Sequence, residues 1–281
     1  MTPHAVEPIL LREETSWGVR LTLNRPAKLN ALSAELRDAL AEAIADAAVD
    51  DRVRVIAIAG AGRAFCAGYD LSEAAPPTAW QWRAVLERDV RATLAIWSCP
   101  KPVIAQVHGY ALAGGLELAM ACDLVVAAEG SQLGEPEIRF GSAPVTLLMP
   151  FLIGQKKTRE LLLTGDLIDA VEAERIGLVN RVVPADRLAL EVDALADRLA
   201  RVPPDVMAPT KLMLNRAMDA AGLAAAVEMG LDLQAFINMS EAAREFGGIV
   251  RAQGLKAALA WRDRRYDERL AGSGLPSEST S

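Results

Sequence analysis

Residues 103–137, VIAQVHGYALAGGLELAMACDLVVAAEGSQLGEPE, decide the fold and contain the first candidate functional group. An apolar strand is predicted at 103–107, and the helix predicted at 115–122 carries one acidic residue, Glu117. The residues around Glu117 are apolar on every side of this helix, so we expect the helix to be buried. A glutamate chosen at random is almost always exposed, and a buried ionisable group is costly unless it has a partner or a task. Glu117 is therefore a candidate for acid–base chemistry.

Two glycine-containing loops are candidates for binding a negatively charged oxygen. Gly114 and Gly115 stand where the helix begins, so their N–H groups lack intrahelical acceptors and lie at the positive end of the helix dipole. The loop FCAGYDL, residues 65–71, leaves another buried strand and contains Gly68 and Tyr69. A tight turn alone would explain either loop. Together they could direct two backbone N–H groups at one oxygen atom, as an oxyanion hole requires.

The composition is that of a globular protein with a large core. The chain has 281 residues, of which 52% are hydrophobic, and a formal net charge of −7. This negative charge argues against binding nucleic acid through phosphates, and no run reaches the ~18 apolar residues of a membrane span. Cys66, Cys99 and Cys122 follow no zinc or disulfide spacing. Because no export signal is visible either, we expect a cytoplasmic protein without a nucleic-acid or membrane partner.

Strands, loops and helices alternate through much of the chain, which is typical of an α/β fold with parallel strands. Strands are predicted at 8–13, 17–24, 53–59, 103–107, 124–127 and 178–183, and helices at 34–49, 79–97, 115–122, 144–153, 156–163, 169–176 and 185–200. Loops that leave parallel strands gather at one edge of a sheet. We therefore expect the two glycine loops to face the same crevice.

Pro203 and Pro204 suggest a boundary between a core at 1–202 and a helical region at 203–281. Helices are predicted in that region at 208–220, 223–243 and 248–268. Their Met, Leu and Phe faces favour a packing or subunit interface. The tail at 272–281 is expected to be disordered because it is rich in Gly and Ser.

Other chemistry-bearing residues have plain alternative explanations. Glu137, in the turn GEPE, is either an exposed loop residue or a second carboxylate of the site. His108 is expected to be a hydrogen-bonded turn residue, and a Cys or Ser nucleophile with a His base is disfavoured by the presence of only two histidines. GAGRAF has Phe65 where a dinucleotide-binding fingerprint needs its third glycine, and no metal-binding spacing occurs.

Six motifs in order closely resemble those of the enoyl-CoA hydratase/isomerase family, the crotonase superfamily. They are LNRPAKLNAL, GAGRAFCAGYDL, KPVIAQVHGYALAGGLELAMACDLVVAAE, GEPEIRFG, LLLTGDLIDAVEAERIGLVNRVVP and GLKAALAWRDR. The resemblance implies an α/β fold made of a crotonase-like spiral of ββα units, followed by a C-terminal helical trimerisation region. It also implies an acyl-CoA substrate, no separate cofactor, and a homotrimer or a dimer of trimers.

The resemblance also assigns roles to residues. The backbone N–H groups of Tyr69 and Gly114 would hold the thioester oxygen of a 2-enoyl-CoA. Glu117 and Glu137 match the two glutamates with which hydratases activate water for attack at C3 and protonate C2, and Glu137 matches the usual proton donor. The residues expected to contact CoA are Arg25, Lys28, Leu29, Ala67, Asp70 and Leu71. No metal ligand is implied.

One departure from the family pattern leaves the reaction open. After the second glutamate this chain reads GSAPVTLLMPFLIG, with Val145 where a glycine of hydratases usually helps to seat the catalytic water. Tyr69 stands where a small residue is common, and its bulk would narrow the pocket. Hydration is the leading hypothesis. Isomerisation, hydrolysis or cleavage of a CoA thioester is the alternative within the same scaffold, and a non-catalytic CoA- or RNA-binding homologue is the alternative of another class.

Overall fold

A computed structural model describes residues 7–73 and 75–272, with side-chain environments up to residue 266. Six strands form the main sheet in the order β1-β2-β3-β4-β6-β9. They are β1 (Leu10–Glu14), β2 (Gly18–Leu23), β3 (Val55–Gly60), β4 (Val103–Val107), β6 (Leu124–Ala128) and β9 (Arg181–Val183). β1 and β2 pair antiparallel, and all other neighbours in this sheet are parallel. The α/β prediction is confirmed.

The core lies on both faces of this sheet, which is why its central strands read as continuous apolar runs. Val55 and Ala57 face one side and pack against α8 (Leu188–Ala200). Ile56 and Ile58 face the other side, in a larger cluster that includes α1 (Ala34–Val49). Helix α1 begins where Ser33 accepts a hydrogen bond from the Leu36 N–H at 3.3 Å, as the predicted N-cap requires.

A second, three-stranded sheet was not predicted from the sequence. It contains β5 (Tyr110–Leu112), β7 (Gln132–Gly134) and β8 (Ile168–Asp169), with β5 and β7 parallel and β7 and β8 antiparallel. Strands of two or three residues are too short to show the alternation of apolar and polar residues that indicates a strand. Their position matters, because β5 leads directly into α4 (Gly114–Ala121), the apolar helix predicted at 115–122.

Two helices predicted before residue 155 are wrong in their extent. The helix predicted at 79–97 is divided at Val90 into α2 (Ala79–Asp89) and α3 (Arg91–Ser98). The helix predicted at 144–153 is reduced to α5 (Met149–Ile153). Leu147 has a φ of 46°, which no right-handed helix allows, and the N–H groups of residues 145 and 146 bind a side chain instead of helical carbonyls.

Helices make up most of the chain after α5. They are α6 (Gln155–Thr164), α7 (Ala170–Arg175), α9 (Pro204–Ala220), α10 (Leu223–Ile237), α11 (Glu241–Gln253) and α12 (Leu255–Gly272). The helix predicted at 223–243 is wrong in extent, because it ends at Ile237 and α11 starts anew where Ser240 accepts a hydrogen bond from the Ala243 N–H at 3.2 Å. The helix predicted at 248–268 is wrong as well, because Gly254 separates α11 from α12 within that range. The strand predicted at 178–183 is shortened to β9.

The helical region from residue 203 has an apolar exposed surface. Large side chains with more than half of their surface exposed on α9 and α10 are Val206, Leu212, Met213, Leu214, Met229, Leu233 and Phe236. Within the described residues no individual helix has the length and apolarity to span a membrane, although α9 and α10 meet those criteria as a pair bent by 60°. The domain boundary and the trimerisation role remain predictions, and the tail predicted to be disordered lies outside the described residues after Gly272.

Candidate active site

The N-terminus of α4 is held against the loop that follows β3. A Cβ built on Gly115 would lie 2.4 Å from the carbonyl oxygen of Cys66, so only glycine allows so close an approach. Ala113, immediately before the helix, has a φ of 53°, a conformation that residues other than glycine rarely adopt. Its N–H donates to the Gly134 carbonyl oxygen at 2.9 Å. The helix start is therefore held by the loop on one side and by β7 on the other.

The segments that carry the two backbone N–H groups proposed for the oxyanion hole, those of Tyr69 and Gly114, lie against each other. Leu32 donates its N–H to the Gly68 carbonyl at 2.8 Å and accepts from the Asp70 N–H at 3.2 Å, so the N–H of the intervening Tyr69 points away from Leu32. A Cβ built on Gly68 would lie 3.5 Å from the Gly114 nitrogen. Within the described residues, neither the Tyr69 nor the Gly114 N–H donates to a protein acceptor. These two N–H groups therefore have no acceptor in the described part of the protein.

Glu117 is buried, as predicted, with 1% of its surface exposed. Its Oε1 accepts hydrogen bonds from the N–H groups of Val145 and Thr146 at 2.7 and 2.8 Å. Burial raises the pKa of this carboxyl group, and the two backbone donors oppose that rise by stabilising the carboxylate. The backbone of Val145 is itself fixed, because a Cβ on Gly230 of α10 would lie 2.2 Å from its carbonyl oxygen.

Glu137 is also buried and lies in a 3-10 turn at Pro136–Phe140. Its Oε2 has no hydrogen-bond partner among the described residues. Burial raises the pKa of its carboxyl group to about 8, and the negative charge of Glu117 acts in the same direction. Near neutral pH Glu137 therefore holds a proton and can act as an acid.

A third carboxyl group, that of Glu135, lies two residues before Glu137 and was given no role from the sequence. It is buried, and neither of its oxygens has a hydrogen-bond partner in the described part of the chain. Burial, with the charges of Glu137 and Glu117, raises its pKa well above the usual value. Its sequence context, a glutamate beside a proline in a turn, is typical of an exposed position and gives no sign of this burial.

The side chain of Tyr69 covers the helix start. A Cβ on Gly114 would lie 2.6 Å from its ring, and its hydroxyl donates to Glu117 Oε2 at 3.4 Å. Burial and the charge of Glu117 raise the pKa of this phenol well above its usual value, so it stays neutral. The guanidinium carbon of Arg37 lies 5.5 Å from the ring centroid. The Tyr69 side chain, which was predicted to narrow the pocket, therefore also contacts the Glu117 carboxylate directly.

Three of these side chains line one cavity of about 390 Å³. Tyr69, Glu117 and Glu137 all line it, together with Ala67, Asp70 and Leu71 from the loop after β3. Further lining residues come from α2, α10 and α11. The two loops expected to face one crevice, 65–71 and the turn before α4, do so.

The remaining predicted CoA contacts lie outside that cavity. Arg25 donates to the Asp70 carboxylate at 2.8 Å and to the Ala31 carbonyl at 2.5 Å, so its guanidinium holds the loop together. Leu29 accepts a hydrogen bond from the Ala67 N–H at 3.0 Å. Lys28 is exposed. Of the two cations predicted near the CoA phosphates, Lys28 is therefore the better placed to meet a ligand from solvent.

Other candidate nucleophiles and ligands have structural roles. His108 Nε2 lies 2.9 Å from the Gly62 carbonyl oxygen, which confirms it as a hydrogen-bonded turn residue. Burial raises the pKa of the Cys66 thiol to about 12, so this thiol is not a nucleophile. Within residues 7–73 and 75–272, no group of three or more His, Cys, Asp or Glu side chains is placed to hold a metal ion.

The sequence and the fold are both similar to known enzymes of one kind. The family model described as enoyl-CoA hydratase/isomerase matches residues 15–253. The chain is 38% identical to the "Probable enoyl-CoA hydratase echA8" of Mycobacterium bovis, over 76% of this chain and 84% of that protein. It is also 38% identical to the crotonyl-CoA hydratase of Syntrophomonas wolfei, over 69% of this chain and 76% of that protein.

A solved structure shares almost the whole fold. The crystal structure of an enoyl-CoA hydratase/isomerase from Xanthobacter autotrophicus Py2 superposes with a TM-score of 0.89 at 39% sequence identity. The match covers 92% of this chain and 99% of that one. At this TM-score and coverage, the architecture is shared.

Proposed function

Because the chain belongs to the enoyl-CoA hydratase/isomerase family, the crotonase superfamily, we propose that it is a hydratase that adds water across the 2,3 double bond of a 2-enoyl-CoA thioester. One observation carries the proposal. Two buried carboxyl groups, Glu117 and Glu137, line the same cavity as Tyr69, and the backbone N–H groups of Tyr69 and Gly114 have no protein acceptor among the described residues. Polarisation of a thioester and acid–base addition of water need these four groups.

The oxyanion hole stabilises the charge that develops on the thioester oxygen. When the hydroxyl oxygen of water bonds to C3, the electrons of the double bond move toward the carbonyl and form an enolate-like intermediate. The Tyr69 and Gly114 N–H groups donate to that oxygen in the proposed mechanism. Losing one such donor typically lowers the rate by ~10²–10³.

The two glutamates divide the proton transfers between them. Glu117 accepts two backbone hydrogen bonds that favour its ionised form, so it takes the proton that water loses as it attacks C3. Glu137, with its raised pKa, delivers its proton to C2. Positioned acid–base groups contribute ~10²–10⁴ in rate. Because both carboxyl groups act near one water molecule, their protonation states are coupled.

A second reaction is favoured by one specific contact. The N–H of Val145, at the position where a hydratase glycine helps to seat the catalytic water, donates to Glu117 instead. This N–H is then not free to hold the catalytic water. If the carboxyl groups do not hold that water, the same enolate chemistry would give double-bond isomerisation, or hydrolysis or cleavage of a CoA thioester.

Incubation with a panel of enoyl-CoA thioesters of varied length and branching tests the proposal. Hydratase activity appears as loss of the enoyl absorbance and formation of 3-hydroxyacyl-CoA, identified by mass. Glu117→Gln and Glu137→Gln should each lower the rate of this reaction by ~10²–10⁴ while CoA binding is retained. Arg52→Gln serves as a control, because Arg52 is exposed and, among the described residues, its side chain bonds only Asp50, away from the cavity. Full activity in either glutamate variant contradicts the assignment.

The proposal extends to the assembly and its setting. We propose a cytoplasmic enzyme of acyl-CoA or fatty acid metabolism that needs no cofactor beyond the CoA of its substrate and assembles as a trimer or a dimer of trimers. The exposed apolar residues of α9 and α10 support an interface in the helical region. Light scattering on the purified protein distinguishes a monomer from a trimer or hexamer. A silent CoA-binding or RNA-binding homologue would bind its ligand without converting any thioester of the panel.

A further inference from the structure

The proposed mechanism uses only the backbone of Tyr69, although the side chain of this residue also contacts the site. Its N–H is one of the two donors proposed for the thioester oxygen, and its hydroxyl lies 3.4 Å from Glu117 Oε2. Both side chains line the same cavity. One residue therefore contacts the proposed base and carries part of the proposed oxyanion hole.

The two carboxylate oxygens of Glu117 have different surroundings. Oε1 accepts hydrogen bonds from the N–H groups of Val145 and Thr146 at 2.7 and 2.8 Å, which occupy both of its lone pairs. Oε2 has the Tyr69 hydroxyl as its hydrogen-bond partner among the described residues. At 3.4 Å this bond is long beside the usual ~2.7–2.8 Å, so it orients Oε2 without saturating it. Oε2 is therefore the oxygen that can take a proton from water.

Packing holds the Tyr69 ring in position. A Cβ built on Gly114 would lie 2.6 Å from one ring carbon and 2.9 Å from two others, so only glycine lets the start of α4 lie this close to the ring. The guanidinium carbon of Arg37, on α1, lies 5.5 Å from the ring centroid. Arg37 is itself buried, and its Nη1 donates to the Leu32 carbonyl at 2.5 Å. Because α4 and α1 hold the ring, the place of the hydroxyl is fixed.

The direction of this hydrogen bond follows from the charges of the two groups. Burial and the charge of Glu117 raise the pKa of the Tyr69 phenol well above its usual value, so the phenol keeps its proton. An ionised carboxylate has no proton to donate. The hydroxyl is therefore the donor and Oε2 the acceptor, and the bond favours the ionised form of Glu117, which is the form that acts as a base.

We propose that the Tyr69 side chain is a positioning group, whose hydroxyl holds Glu117 Oε2 in a fixed place relative to the thioester oxygen that the Tyr69 N–H binds. The inference rests on the proposed function for the reaction itself. In that reaction the oxygen of water bonds to C3, one proton of the water passes to Glu117 Oε2, and Glu137 delivers its proton to C2. The phenol keeps its own proton throughout.

Tyr69→Phe tests the role of the hydroxyl, because it removes one oxygen atom and leaves the ring against Gly114. We expect kcat for enoyl-CoA hydration to fall about 10-fold with KM nearly unchanged, since the base is still present but loses one orienting bond. Tyr110→Phe is the matched control, because Tyr110 is exposed and lies outside the cavity lining, and it should keep the wild-type kcat. Thermal melting verifies that both variants are folded.

The same substitution in a Glu117→Gln background separates positioning of the base from a general effect on the pocket. The amide has no basic oxygen to position, so Tyr69→Phe should change the residual kcat less than about 2-fold there. An equal fall in both backgrounds would show that the hydroxyl does not act through Glu117, and it would overturn the inference. Wild-type kcat in Tyr69→Phe alone would also overturn it.

An infrared measurement tests the contact independently of the reaction. The difference spectrum between the wild type and Glu117→Gln contains the carboxylate bands of Glu117, and loss of the Tyr69 hydrogen bond should shift these bands. Unshifted bands in Tyr69→Phe contradict the positioning role. If the bands shift but no thioester of the panel is hydrated, the contact between Tyr69 and Glu117 is supported and the proposed function fails.

Discussion

Replacing Glu117 by Gln or by Ala separates its chemical role from its structural role. The carboxylate accepts hydrogen bonds from two buried N–H groups, of Val145 and Thr146. Gln keeps an oxygen for both donors, whereas Ala leaves them unpaired at ~1–3 kcal/mol each. We expect Glu117→Ala to be less stable than Glu117→Gln by about 2–6 kcal/mol, which for a chain of this size corresponds to a fall in Tm of at least about 4 °C.

The two variants should behave alike in catalysis and differently in melting. Both remove the base, so both should lose ~10²–10⁴ in kcat for hydration. Calorimetric melting at neutral pH measures the stability difference, and loss of the enoyl absorbance measures the rate. Equal Tm values for the two variants would show that Glu117 does not hold the 145–146 backbone. Near wild-type kcat in Glu117→Gln would refute its role as a base.

Three further predictions concern the neighbouring groups. The proposed mechanism requires the acid form of Glu137, whose pKa is raised to about 8, so kcat/KM should be level near neutral pH and fall as pH rises through about 8. A kcat/KM that stays level to about pH 10 contradicts this role. The pKa of the Glu135 carboxyl is raised in the folded protein, so the stability that its protonated form provides at low pH is lost as pH rises. Glu135→Gln should therefore raise Tm more at about pH 9 than at about pH 6. An equal change in Tm at both pH values, or a fall at both, refutes the burial argument. Gly115→Ala places a Cβ 2.4 Å from the Cys66 carbonyl oxygen, which should displace the loop 65–71. We expect kcat to fall ~10–10³-fold and the free energy of unfolding to fall by about 1–3 kcal/mol. Wild-type kinetics in this variant would show that the position of the loop is not critical.

The centre of the site could be predicted because it lies in continuous sequence. Glu117 is the only charge in an apolar helix, and its burial follows from its neighbours. The glycines of the two loops mark close backbone approaches, as Gly115 against Cys66 shows. At these positions the local sequence pattern is enough to predict burial and close backbone contact.

Other parts of the site depend on contacts between distant segments. The three-residue strands β5 and β7 are set by pairing with each other, which no local period reveals. The segment before α5 was predicted to be helical, but its N–H groups at Val145 and Thr146 bind Glu117, so a tertiary contact overrides the local preference. Asp89 and Gln234 lie on helices where a single polar residue usually indicates the solvent side, and only the packing of α10 beside α2 shows that both line a cavity.

Hydration of crotonyl-CoA in water enriched in heavy oxygen tests the central claim most directly. The proposed function predicts that the enoyl absorbance disappears and that mass spectrometry finds 3-hydroxybutyryl-CoA with one heavy oxygen at C3. Glu137→Gln should form this product ~10²–10⁴-fold more slowly. Recovery of crotonyl-CoA and of every longer or branched enoyl-CoA unchanged would contradict hydration. Heavy oxygen found only in a free acid released from CoA would also contradict it.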